Sequence, residues 1–73
     1  MEDPFLVQLK QDIHQFCEEK YGQVAVIFDE LVPEADHRAA VRFSVSDHLG
    51  FITRYYGKAG YQDHHLRLDT RTI

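Results

Sequence analysis

The nine residues from Arg38 to Ser46, Arg-Ala-Ala-Val-Arg-Phe-Ser-Val-Ser, constrain this chain more than any other stretch. Ala39, Val41, Phe43 and Val45 alternate with Arg38, Ala40, Arg42, Ser44 and Ser46. A two-residue period of this kind gives a strand with one dry face and one wet face. Its dry face needs a cover, and the amphipathic segment near the N-terminus supplies one. Asp3 suits a helix N-cap, and Pro4 suits the first helical position, where its missing N–H costs nothing. Phe5, Leu6, Leu9, Ile13, Phe16 and Cys17 then fall within an arc of roughly 120° at helical spacing. Gly22 is the expected stop.

Around the central strand the remaining elements follow from local pattern. Gln23–Phe28 is apolar on both faces and reads as an interior or covered strand. The segment 29–37 is acidic, contains Pro33 and reads as a loop. Asp47-His48-Leu49-Gly50 reads as a tight turn and Phe51–Tyr56 as the third strand. Gly57-Lys58-Ala59-Gly60 reads as a second turn. The tail from Tyr61 to Ile73 reads as a fourth strand that alternates around Leu66, Leu68 and Thr70. Short connections favour an antiparallel meander. The expected fold is α+β: one N-terminal helix on one face of a four-stranded antiparallel sheet, in the order α-β-β-β-β. Residues 1–73 make one small domain.

A chain of this length buries only roughly 60% of its unfolded surface, so pairing with a second copy or a partner is a natural way to add burial. The fourth strand, if it forms the edge of the sheet, is the expected place for a homodimer to join. Cys17 is the single cysteine, so no disulfide can form within the chain, which fits a reducing compartment. The sequence has neither a basic start followed by an apolar run nor an apolar stretch of membrane-spanning length. The expectation is a cytoplasmic protein without membrane contact.

Charge is divided along the chain. Residues 1–37 carry nine acids against Lys10 and Lys20, a net of −7, and residues 38–73 carry six bases against Asp47, Asp63 and Asp69, a net of +3. The division either yields separate acidic and basic surfaces or is neutralised within the fold. On the basic side, Arg42, Ile52, Arg54, Tyr56, His65 and Arg67 are expected on the sheet face away from the helix. Arginine beside tyrosine serves as an interface hot spot, holds single-stranded nucleic acid by phosphate contact and stacking, or merely solvates an open sheet. On the acidic side, Asp12, Glu18, Glu19 and Glu34 are candidates for a negative surface that enters a basic groove on a partner.

Signals for catalysis are weak. The pairs Asp36-His37 and Asp63-His64, with His65, are expected at one end of the sheet, so Asp36, His37, His64 and His65 are candidate metal ligands. Adjacent His64 and His65 cannot share a face of a strand, and Asp and His are ordinary turn residues. Cys17 belongs to the apolar side of the helix, where a thiol is inert. There is no nucleophile elbow and no phosphate-binding glycine loop. The sequence points first to a non-enzymatic, cofactor-free protein-binding module that regulates or inhibits a larger protein or assembly. Its alternative is a binder of single-stranded RNA or DNA. A metal-dependent activity at the Asp/His end comes third.

Overall fold

The computed structural model of the protein describes residues 3–35 and 37–73. One helix, α1 (Pro4–Tyr21), precedes four strands: β1 (Ala25–Glu34), β2 (Arg38–Ser46), β3 (Ile52–Gln62) and β4 (His65–Thr72). The strands form a single antiparallel sheet in the order β1-β2-β3-β4. This is the expected α-β-β-β-β meander with a helix over one face.

The helix begins and ends as its caps require. The Phe5 N–H donates to Asp3 Oδ1 at 2.9 Å, and Pro4 occupies the first turn. Gly22 closes the helix at φ 85°, with its N–H on the Glu18 carbonyl at 2.8 Å. A left-handed residue of this kind satisfies carbonyls that have no helical partner. Leu9, Ile13 and Cys17, spaced by four, bury themselves against Ala39, Val41, Phe43 and Val45 of β2 and Ala59 of β3. Phe43 lies at the centre, with ring centroids 5.7 Å from Phe28 and 5.3 Å from Tyr55. Phe16, expected in the apolar arc, remains 42% exposed at the rim.

Two segments expected as connections are strand instead. β1 runs through the acidic segment as far as Glu34. The register slips between Phe28 and Glu30, so Phe28 pairs with Phe43 and Leu31 with Val41. The extra residue, Asp29, is a bulge that resets the alternation. Pro33 is tolerated because β1 is an edge strand, where a missing N–H leaves no sheet neighbour unbonded.

The segment Gly57–Gly60 is likewise no turn. It lies inside β3, paired with Val41 back to Arg38 on one side and with Thr70 back to Arg67 on the other. Gly57 adopts φ 153°, and a Cβ there would meet the Asp69 carbonyl oxygen at 2.2 Å. Glycine therefore serves close backbone approach here. The β3–β4 turn is Asp63-His64, at φ 52° and 65°. Two consecutive positive φ values define the tight hairpin whose twist matches the strands it joins. The expected turn at residues 47–50 forms: Asp47 Oδ1 accepts from the N–H groups of Leu49 at 2.9 Å and Phe51 at 3.0 Å.

Candidate functional site

Register fixes what the open face of the sheet presents. From β2 it carries Arg38, Arg42 and Ser44. From β3 come Ile52, Arg54, Tyr56 and Lys58, and from β4 His65, Arg67, Asp69 and Arg71. Residues two apart on a strand share a face, and antiparallel partners share it too. The sequence-predicted set of Arg42, Arg54, Tyr56, His65 and Arg67 is therefore gathered on one surface, opposite the helix. Arg38, Lys58 and Arg71 join it. Six of the eight lysines and arginines of the chain lie on this face.

The arrangement has internal order. Glu30, Arg42, Tyr56 and Arg71 form one continuous cross-strand row. Tyr56 thus stands between two guanidinium groups, with 42% of its surface exposed. The neighbouring row contains Val32, Ala40, Lys58 and Asp69, and the next Glu34, Arg38, Gly60 and Arg67. Lys58 Nζ pairs with Glu34 Oε2 at 2.6 Å across the strands. Both side chains are about half exposed, so the pair adds little stability. Arg67 donates to Gln62 Oε1. Among the described residues, no hydrogen bond or ion pair engages the side chains of Arg38, Arg42, Arg54 or Arg71. A shallow depression lies where Glu34, Arg38, Lys58, Gln62, Arg67 and Asp69 meet.

The opposite end of the face is apolar. Ile27 and Ile52, each 61% exposed, lie on either side of Ser44 and Ser46. Ile73 closes that end, with its N–H on the Arg54 carbonyl at 3.0 Å. The adjoining β2–β3 tip exposes Leu49 and Phe51, each at 70%. Leu49 and Phe51 are not among the residues expected from sequence to carry function. The signal available was two large apolar residues flanking the turn glycine, a place where polar residues are usual.

The acidic candidates do not share one surface. Glu34 belongs to the basic sheet face, whereas Asp12, Glu18 and Glu19 are on the helix. The helical acids have partners within the chain. Asp12 accepts from the Tyr61 hydroxyl and from Gln8 Nε2. Glu18 lies 3.3 Å from His14 Nε2, and Glu19 accepts from Gln15 at 3.4 Å. The two charged halves of the chain therefore neither form two clean faces nor neutralise one another fully. Among the described residues the basic half is concentrated on the sheet, and the acids of the first half are divided between the helix with its cap and β1.

The described candidates His37, His64 and His65 share one end of the sheet, as the meander requires, but they do not group as ligands. His37, at φ 58°, turns its ring edge-on to Phe5 at 6.0 Å. His64 sits in the β3–β4 turn rather than in a strand, and His65 belongs to the outer face. Asp36 lies outside the described residues. Among the described residues, no three of His, Cys, Asp and Glu are grouped as metal ligands. Cys17 is 3% exposed, and burial pushes its thiol up from the ordinary value, which holds it protonated and unreactive at neutral pH.

Among the described residues no helix is long and apolar enough to cross a membrane. Compared with protein-family models, curated proteins and solved structures, the chain matches none.

Proposed function

We propose that this chain is a non-enzymatic binding module that docks the open face of its sheet on an acidic, partly apolar surface of a larger protein, and so regulates or inhibits it. One observation carries the reading: arginines without partners among the described residues flank an exposed tyrosine and adjoin exposed isoleucines on a single sheet face. Arginine and tyrosine are enriched in interface hot spots, and a desolvated guanidinium is held best by a carboxylate that meets it in bidentate fashion. Four strands about 4.8 Å apart and some nine residues long span roughly 20 by 30 Å, enough for a contact of standard size. The lone, buried cysteine fits action in the cytoplasm.

Single-stranded nucleic acid is the second reading, favoured by the cation count alone. Two features weigh against it. Among the described residues the face offers a single tyrosine, Tyr56, with His65 the other ring, whereas sequence-tolerant strand binding stacks successive bases on several large aromatic rings. Glu30, Glu34 and Asp69 are also interleaved with the cations, where they would repel phosphates.

Affinity capture from lysate with and without nuclease separates the two readings. A stoichiometric protein that survives nuclease, and is lost from an Arg54→Glu bait, is the expected result. Recovery of nucleic acid alone, abolished by nuclease, would replace this reading with the second.

A further inference from the structure

The two edges of the sheet differ. β1 carries the Asp29 bulge and Pro33, which has no N–H to offer. Both features are devices that keep an edge from pairing. β4 has neither: His65–Thr72 contains no proline and no glycine, and its register with β3 runs without a shift. Its backbone direction can be read from the end of the strand. The Ile73 N–H bonds to the Arg54 carbonyl, and the β3–β4 register puts that pair in phase with Arg71, Asp69, Arg67 and His65. The odd-numbered residues therefore bond inward to β3. The N–H and C=O groups of Leu66, Leu68, Thr70 and Thr72 point out from the free edge.

The side chains of this edge are incomplete on the helix side as well. Leu68 and Thr70 border a cleft that they share with Phe16, Cys17, Tyr21 and Tyr55. Leu66, Leu68 and Thr70 are only half-buried.

We propose that two copies of this chain join antiparallel along β4, with Leu68 opposite its own counterpart and Arg67 of each copy opposite Asp69 of the other. Charge selects this register. A two-fold strand pair must put outward residues opposite outward residues, so neighbouring registers differ by two positions. Two of them overlap over seven residues. The register centred on Asp69 opposes Asp69 to Asp69 and Arg67 to Arg71, and like charges directly opposite destabilise a pair. The register centred on Leu68 makes two Arg67–Asp69 pairs, sets Leu66 beside Thr70, and places His65 beside Arg71. Registers centred further out overlap over fewer residues. The strand charges, which elsewhere guard an edge, here admit one alignment and reject its neighbour. The product is a continuous eight-stranded sheet in which the two basic faces lie side by side. This inference is independent of what those faces bind.

Sedimentation equilibrium of the full chain from about 10 μM to about 1 mM tests it. The expected mass rises from the monomer value of 8.6 kDa to twice that and stops there. Arg67→Asp and Asp69→Arg should each weaken dimerisation about tenfold, and the double variant should return it to near wild type, because the swapped charges again oppose one another. Circular dichroism verifies the fold of each variant. Amide exchange on the wild type gives a readout without mutation: the N–H groups of Leu66, Leu68 and Thr70 should become more protected as concentration rises. A wild-type chain that stays monomeric at the highest concentration overturns the proposal. So does a mass that grows past the dimer, or a double variant as weak as either single one.

Discussion

Gly57 shows how one residue shapes the sheet. Its φ of 153° and the 2.2 Å approach of the Asp69 carbonyl to a would-be Cβ leave no room for any side chain. Gly57→Ala must therefore push β4 away from β3. Urea unfolding should show a loss of several kcal/mol, at the upper end of single-substitution effects; a loss under about 0.5 kcal/mol would mean that the strands adapt freely. From sequence, Gly57 and Gly60 around Lys58 are indistinguishable from a turn, because glycine marks both turns and close backbone approach. Phe43 was legible: its place in a strict alternation marks it as core, and it is 2% exposed. Phe43→Ala should cost about 3–5 kcal/mol, comparable with the whole stability of a small domain, so the variant should be largely unfolded at room temperature by near-UV circular dichroism. The two tyrosines facing the helix add a pH signature. Tyr55 shares a hydrogen bond of 3.1 Å with Tyr21, and this bond, with burial second, pushes its hydroxyl from about 10 up to about 12. Tyr61 is also raised, chiefly by burial and then by its bond to Asp12. A group whose pKa is raised on folding contributes its full stability below the unfolded value. Stability should hold below about pH 10 and fall as pH rises towards 12, and Tyr55→Phe should flatten that fall. A flat profile through this window would contradict the assignment.

At the scale of elements, the sequence was clearest where a single period runs unbroken. Helix α1 and strand β2 appear with the expected bounds because caps and alternation agree at every position. The sequence pattern shows β1 only as far as Phe28 because the Asp29 bulge breaks the alternation: Phe28 and Leu31, three apart, face the same side. A period-two reading loses the strand at that point, and Pro33 then argues for a loop. The hairpin at Asp63-His64 was hidden for a related reason, since neither residue is the glycine that such positive-φ positions favour. The helix offers a simple check of its local design. Asp3→Ala removes the acceptor of the Phe5 N–H and should lower stability by about 1 kcal/mol, measurable as a shift in the urea midpoint at unchanged slope.

Across the whole molecule, the charge asymmetry of the sequence becomes a matter of sides. The even-odd phase of β2, β3 and β4 sends all six of their lysines and arginines to one face, and this much could be anticipated once Arg54 was set outward with Arg42. That Glu34 would join them could not, because its strand was not recognised. The helix, by contrast, ties its acids to its own and neighbouring side chains and presents a quieter surface. The two faces of this small protein therefore differ, and that difference can be measured directly. Capture from nuclease-treated lysate should be run in parallel with two baits of matched stability, Arg54→Glu/Tyr56→Ala on the sheet and Gln11→Lys/Gln15→Lys on the helix, and quantified by mass spectrometry against wild type. Docking through the sheet face should deplete the protein partner at least about tenfold from the sheet bait, the loss expected for two hot-spot residues, and leave it on the helix bait. Equal recovery from the sheet bait and wild type, or loss confined to the helix bait, would contradict it.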